Sequence, residues 1–183
     1  MSKKVDLNTF NNDWYKPGSI FRRIFWYPCN LIFIKNRWFS INFIKVLILK
    51  LFGAKVGAKV VLKPGVNIKY PWKLSIGNHV WIGEDVWIDN LDDVIINDHV
   101  CISQGALLLS GNHNYKKSSF DLMVGKITLE NGVWIGARSV VCPGVKCATH
   151  AVLTVNSVAN KDLKSFSIYT GTPAVFQKQR IID

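Results

Sequence analysis

The stretch IGNHVW-IGEDVW-IDNLDDVI-INDHVC-I, residues 76–102, places an aliphatic residue at Ile76, Ile82 and Ile88 and again at Ile96 and Ile102, with Val94-Ile95 read as a two-residue insertion. The same step of six returns in LENGVW-IGARSV-VCPGVK-CATHAV-LTVNSV-ANKDLK, where Leu129, Ile135, Val141, Cys147, Leu153 and Ala159 hold the key position. At about 100° per residue, keys six apart on an α-helix drift by roughly 240° and form no stripe. Triplets such as Val80-Trp81-Ile82 and Val133-Trp134-Ile135 instead alternate like short strands, first and third side chains facing one way. Turn formers separate them: Gly77-Asn78, Gly83-Glu84, Asn97-Asp98, Glu130-Asn131-Gly132, Pro143-Gly144. Three strand-and-corner units close a triangular coil of about 18 residues, and each coil buries its inward side chains against the coils above and below. The expected fold is an all-β parallel β-helix.

Working outward, residues 53–73 hold degenerate hexads, FGAKVG, AKVVLK and PGVNIK, ahead of Tyr70-Pro71-Trp72, and start the stack. After Ile102 the repeat runs through SQGALL, fails at Ser110–Tyr115, and rejoins at Ile127, so a loop over 111–126 projects from the prism. Three regions follow: an N-terminal arm and apolar helical cap (1–52), the β-helix (53–164) and a short C-terminal tail (165–183) with a turn at Gly171-Thr172-Pro173. In the cap, Ser40 reads as the N-cap of a helix ending before Gly53, with Ile41, Ile44, Leu47, Ile48 and Leu51 as its apolar face. This helix covers the open end of the stack, or lies on an acidic membrane with its basic residues beside Trp, Phe and Ile. Charges at Arg22, Arg23, Lys35, Arg37, Lys45 and Lys50 interrupt the apolar run from Ile20 to Phe52, short of the about 18 residues a spanning helix needs.

The motif of an aliphatic residue, glycine, two variable positions and a small or branched residue, as in IGEDVW and IGARSV, resembles the hexapeptide-repeat acyltransferases. The run from FGAKVG through NIKYPWKL, DNLDD and CISQGALL to GNHNY resembles in particular the colanic-acid-type exopolysaccharide acetyltransferases, over most of the chain. The resemblance implies a left-handed β-helix and a homotrimer with active sites between subunits. It also implies acetyl-CoA as co-substrate without a metal, and O-acetylation of a sugar or lipid-linked saccharide in surface polysaccharide assembly.

Among the four histidines, His79, His99 and His150 fill variable corners, where a solvated polar residue is expected, whereas His113 lies where the repeat breaks, between Gly111-Asn112 and Asn114-Tyr115. The family's general base is a loop histidine at this place. Imidazole suits the task because it exchanges a proton near neutral pH, and a sugar hydroxyl must lose one as it attacks a thioester. By resemblance, Trp134, Ala137, Val155, Asn160 and Lys161 fall at CoA-binding positions, although SVANKD departs from the usual Ser-Val-Val-Thr-Lys-Asp and GTPAV lacks the family's lysine. Asp89 and Asn90 at the inserted corner, with Asn112, are the candidate acceptor contacts.

The balance of 23 Lys and Arg against 12 Asp and Glu, formally +11, calls for an anionic partner such as a phosphorylated cofactor or an acidic membrane surface. No recognisable nucleic-acid fold accompanies it, so no nucleic-acid partner is expected. Cys29, Cys101, Cys142 and Cys147 have neither disulfide-framework density nor metal-knuckle spacing and read as reduced. Lys3 and Lys4 precede polar residues rather than an apolar signal core, so the expected location is cytoplasmic, with the cap region 20–52 touching the inner face of the membrane. Alternatives are a γ-carbonic-anhydrase-like metal enzyme, which shares the prism but needs three zinc-binding histidines, and a non-catalytic scaffold.

Overall fold

The computed structural model describes residues 4–183. Its strands stack into three parallel sheets, the faces of a prism. The first holds β1 (Lys55–Val56), β4 (Leu74–Ile76), β7 (Val94–Ile96), β12 (Ile127–Leu129) and β15 (Lys146–Cys147). The second holds β2 (Val61–Leu62), β5 (Trp81–Ile82), β8 (Cys101–Ile102), β13 (Trp134–Ile135), β16 (Val152–Leu153) and β18 (Ser167–Thr170). The third holds β3 (Asn67–Ile68), β6 (Trp87–Asp89), β9 (Leu107–Leu109), β14 (Val140–Val141) and β17 (Val158–Ala159). The hexad keys are the inward residues: Ile68, Ile88, Leu108, Val141 and Ala159 descend the third face at 1% exposure or less. Burying each Ile or Leu in such a column is worth about 1.5–3 kcal/mol. The chain is thus a parallel β-helix.

Two of the three corners are regular and take a left-handed residue in every coil: Lys59, His79, His99, Gly132, His150 and Phe166 at one, Gly65, Asp85, Gly105, Arg138 and Asn156 at the other. The three corner histidines thus each supply the left-handed residue of a turn. His79 and His99 stack with ring centroids 4.9 Å apart, and His150 packs on Phe166 at 4.7 Å. The third corner, between the third and first faces, is irregular. The two extra residues assigned to Val94-Ile95 are taken up there, within 90–93, because Val94 and Ile96 both point inward at 0% and 1% exposure.

Both ends of the stack are closed. α1 (Ile20–Cys29) runs on as a π-helical turn (Asn30–Ile34), and α2 (Asn42–Leu51) lies against the first coil. Their side chains satisfy the open edge of the stack: Trp26 Nε1 donates to the Ile68 carbonyl, while Asn42 donates to Val60 O and accepts from Leu62 N. The N-cap of α2 is Ile41 rather than Ser40, with no side-chain cap. Its buried face also differs from the expected one. Lys45 and Leu49 are 0% exposed, whereas Leu47 and Leu51 are 62% and 80% exposed. An almost wholly apolar helix offers several stripes of similar hydropathy, and the hydrogen bonds of Asn42 select the one that faces inward. At the other end the expected tail is ordered. β18 continues the second face, β19 (Val175–Gln179) pairs with it antiparallel, and Tyr169 joins the core beyond the small Cys147 and Ala159.

Candidate active site at the irregular corner

Residues 111–126 leave the third corner as an antiparallel hairpin, β10 (Gly111–His113) paired with β11 (Leu122–Val124). Its base is pinned by Ser110, fully buried, whose hydroxyl donates to Asp89 O at 3.0 Å and accepts from Asp92 N at 2.9 Å. Gly125 N closes the hairpin on Ser110 O at 2.8 Å. Leu91 packs so close to Gly111 that a Cβ there would lie 3.0 Å from its methyl.

His113 is held by the hairpin's own turn. Its ring stacks on Phe120, centroids 4.6 Å apart and planes 8° from parallel, and Nδ1 lies 2.9 Å from the Phe120 carbonyl oxygen. A carbonyl only accepts, so Nδ1 carries the hydrogen; Nε2 of the neutral ring then keeps its lone pair. The N-terminal arm crosses over it. Asp6 N donates to Ser118 O at 2.9 Å, and Phe10 brings its ring to 5.8 Å from His113. Leu7, Phe10, His113 and Phe120 line an open apolar cleft of about 290 Å³. The chemistry this permits is proton abstraction at Nε2 beside an apolar surface.

The candidate acceptor residues separate. Asn90 is 0% exposed and both ends of its amide bond Tyr70, Oδ1 accepting from the Tyr70 N–H at 2.9 Å and Nδ2 donating to the Tyr70 carbonyl at 2.6 Å. It shapes the corner, and its complete burial keeps the amide from solvent. Asn112 is exposed beside His113, its Oδ1 accepting from the His113 N–H. Asp89 is 8% exposed, with Lys69 Nζ 2.9 Å from its Oδ1, a contact of charges without hydrogen-bond alignment. It opens into a cleft of about 200 Å³ walled by Trp26, Tyr27, Asn30, Asn67 and Trp87, distinct from the His113 cleft.

The five candidate CoA positions fall in three places. Trp134, half-exposed on the second face, donates from Nε1 to Ser103 Oγ at 2.9 Å. It adjoins an apolar groove of about 380 Å³ formed by Trp81, Gly83, Cys101, Ser103 and Gln104. Ala137 and Val155 stack in successive coils at the neighbouring regular corner, where Asn156 N donates to Ala137 O. Asn160 and Lys161 are exposed at the irregular corner, on the edge that carries the hairpin. All four cysteines are free, and burial pushes the Cys147 thiol up to about 12. Among the described residues no three His, Cys, Asp or Glu side chains cluster to hold a metal.

Phe120 and Phe10 escaped the sequence reading. Phe120 acts through its backbone, which residue identity does not report, and Phe10 reaches His113 across a hundred residues of chain.

No protein-family model matches the chain. It is 34% identical over 137 residues to the Escherichia coli protein named "Putative colanic acid biosynthesis acetyltransferase WcaF", covering 75% of each chain. It is 28% identical over 123 residues to the galactoside O-acetyltransferase of E. coli, covering 66% of this chain and 61% of the relative. Among solved structures, a hexapeptide-repeat acetyltransferase of Vibrio cholerae complexed with acetyl coenzyme A superposes with a TM-score of 0.79 at 22% identity, over 88% of both chains. With these likenesses beside the hexad columns and the projecting hairpin, the chain belongs to the hexapeptide-repeat acetyltransferases.

Proposed function

We propose that the protein transfers an acetyl group from acetyl-CoA to a saccharide hydroxyl in the assembly of a surface polysaccharide, with His113 as general base. The observation that carries the reading is the Nδ1 contact to the Phe120 carbonyl, which leaves Nε2 free to accept a proton. Acetyl-CoA supplies an activated acyl group as a thioester. Nε2 takes the hydroxyl proton as the oxygen bonds to the acyl carbon, and returns it to the thiolate when the carbon–sulfur bond breaks. Trp134 and the apolar groove beside it suit a pantetheine arm, and Lys161 suits a phosphate. Asn112 and the Lys69-paired Asp89 are the acceptor contacts retained, and Trp87 offers an aromatic face beside Asp89.

Within one chain the third face lies between Ala137 and Val155 at one corner and His113 at the other, with Trp134 on the second face beyond the first corner. In a homotrimer a neighbouring prism would set His113 of one copy beside the second face of the next, giving shared sites. We place the reaction in the cytoplasm, where acetyl-CoA is made. Relatives named for colanic acid biosynthesis and for galactoside O-acetylation favour a sugar acceptor.

His113→Asn tests the reading. Thiol release from acetyl-CoA, measured over a panel of nucleotide sugars and lipid-linked saccharides, should fall by about 10²–10⁴ in kcat with KM for acetyl-CoA unchanged. Full turnover by the variant sinks the mechanism.

A further inference from the structure

The outer surface of the N-terminal cap is built unlike the rest of the molecule. At about 100° per residue, Ile20, Phe21, Ile24, Phe25, Leu31 and Ile32 fall within one stripe roughly 140° wide, and all six are 51–70% exposed. The opposite side of the same segment carries Trp26, Asn30 and Ile34, which are buried against the first coil. Arg22 and Arg23 flank the exposed stripe, one at each edge. Across the cap, Trp38 is 94% exposed, and Phe43, Leu47 and Leu51 form a second exposed stripe on α2. Together these side chains offer on the order of 1,000 Å² of apolar surface, about two to three times the largest patch a monomer usually leaves open.

Charge identifies the occupant. Between Trp14 and Gly83 the chain carries twelve Lys and Arg and no Asp or Glu, so this end holds essentially the whole positive balance of the protein. Arg22, Lys35 and Lys50 are exposed and pair with no carboxylate among the described residues. A second copy of the chain laid on this surface would set like charges against one another. An anionic bilayer matches both features, taking the apolar stripes below its headgroups and the cations beside its phosphates. No helix among the described residues is long and apolar enough to cross a membrane, so the contact lies in the interface.

We propose that the cap formed by α1, its π-helical turn and α2 is an interfacial anchor that seats the N-terminal end of the β-helix on an anionic lipid bilayer. The proposal does not rest on the acetyl-transfer reading. Were both to hold, the Asp89 cleft, walled in part by Trp26, Tyr27 and Asn30 of the cap, would open close to the lipid surface, where a lipid-linked acceptor presents its sugar.

Flotation of the full-length protein tests it, using vesicles of phosphatidylcholine alone or with about one third phosphatidylglycerol. Binding to the anionic vesicles is expected to be at least tenfold tighter and to weaken several-fold when salt is raised from about 0.1 to 0.5 M. The triple variant Phe25→Ser, Leu31→Ser, Leu47→Ser should lose binding to both vesicles, with its thermal melt and turnover of a soluble acceptor retained. Arg22→Gln, Lys35→Gln, Lys50→Gln should lose the anionic preference alone. As a readout free of folding effects, brominated lipid should quench the wild-type tryptophan emission more than that of Trp38→Phe. Failure to float on anionic vesicles overturns the proposal. So does equal flotation by the apolar triple variant, or a change in that variant confined to oligomer size by sedimentation.

Discussion

Replacing Phe120 by glycine separates the stability of the hairpin from its catalytic task. Phe120 sits at φ +50°, a left-handed conformation that costs a non-glycine residue about 1–2 kcal/mol, and glycine removes that strain. Against the relief stand the stacking on His113, about 0.5–1.5 kcal/mol, about 1 kcal/mol for a half-buried ring, and about 0.4–1 kcal/mol of added freedom in the unfolded chain. The terms nearly offset, for a net loss of roughly 1 kcal/mol. Catalysis should respond more sharply. With the 120 carbonyl no longer fixed at 2.9 Å from Nδ1, the ring can rotate and Nε2 loses its aim. A general base contributes about 10²–10⁴ in rate, so forfeiting part of its alignment should lower kcat about 10- to 100-fold, with KM for acetyl-CoA steady. Phe120→Leu keeps the backbone and loses only the stacked ring, and should stay within about threefold of wild type. Denaturant melts at one protein concentration and steady-state thiol release read both quantities. If the glycine variant keeps full kcat, or the leucine variant falls as far as the glycine one, the carbonyl does not orient His113.

Lys45 is 0% exposed, its Nζ reaching only the Lys63 carbonyl at 3.3 Å, and burial lowers its pKa below the ordinary 10.5. The unfolded chain then holds the proton more tightly, so the cost of burial is fully present below the folded pKa and fades as pH rises toward 10.5. Lys45→Met should accordingly be more stable by about 1–3 kcal/mol at pH 7, a gap that narrows at pH 10 in paired thermal melts; a less stable variant at pH 7 contradicts the assignment. Asn90→Ala should cost about 2–4 kcal/mol by leaving the N–H and C=O of Tyr70 unpaired in a buried corner. A melt within about 0.5 kcal/mol of wild type would mean that water replaces the amide there.

The columns of the prism were legible because a step of six imposes itself wherever an inward residue must meet its neighbours above and below, as Ile68, Ile88 and Leu108 do. His113 was legible for the opposite reason, standing where the step stops. What the pattern did not reveal depends on contacts with no period. Asn90 resembles a ligand contact because any polar corner residue does, and only the position of the Tyr70 backbone shows its amide to be occupied. The inward face of α2 is not marked by the sequence because hydropathy is nearly uniform around that helix, whereas Asn42 meets the edge of β2 in one orientation only. Left-handed corners at His79, Asp85, His99, Arg138 and His150 carry no glycine to announce them.

The division of labour among the three corners follows from this geometry. A corner that turns through one left-handed residue in every coil has a fixed length, and a one-residue slip would shift every inward side chain of the next strand to the outer surface. The two regular corners therefore repeat without insertion, while the third takes the 70–73 and 90–93 detours, the hairpin over 111–126 and the exposed Asn160 and Lys161. The N-terminal arm runs down the same edge, anchored by Tyr15 on Leu91 O at 2.7 Å and by Trp72 Nε1 on Pro17 O at 3.1 Å, and ends in the cap. One irregular edge thus connects the exposed apolar surface of the cap, the Asp89 cleft and His113. If His113 is the base proposed above, an acceptor arriving at the cap end would meet the polar cleft first, and the regular faces would hold that order rigid.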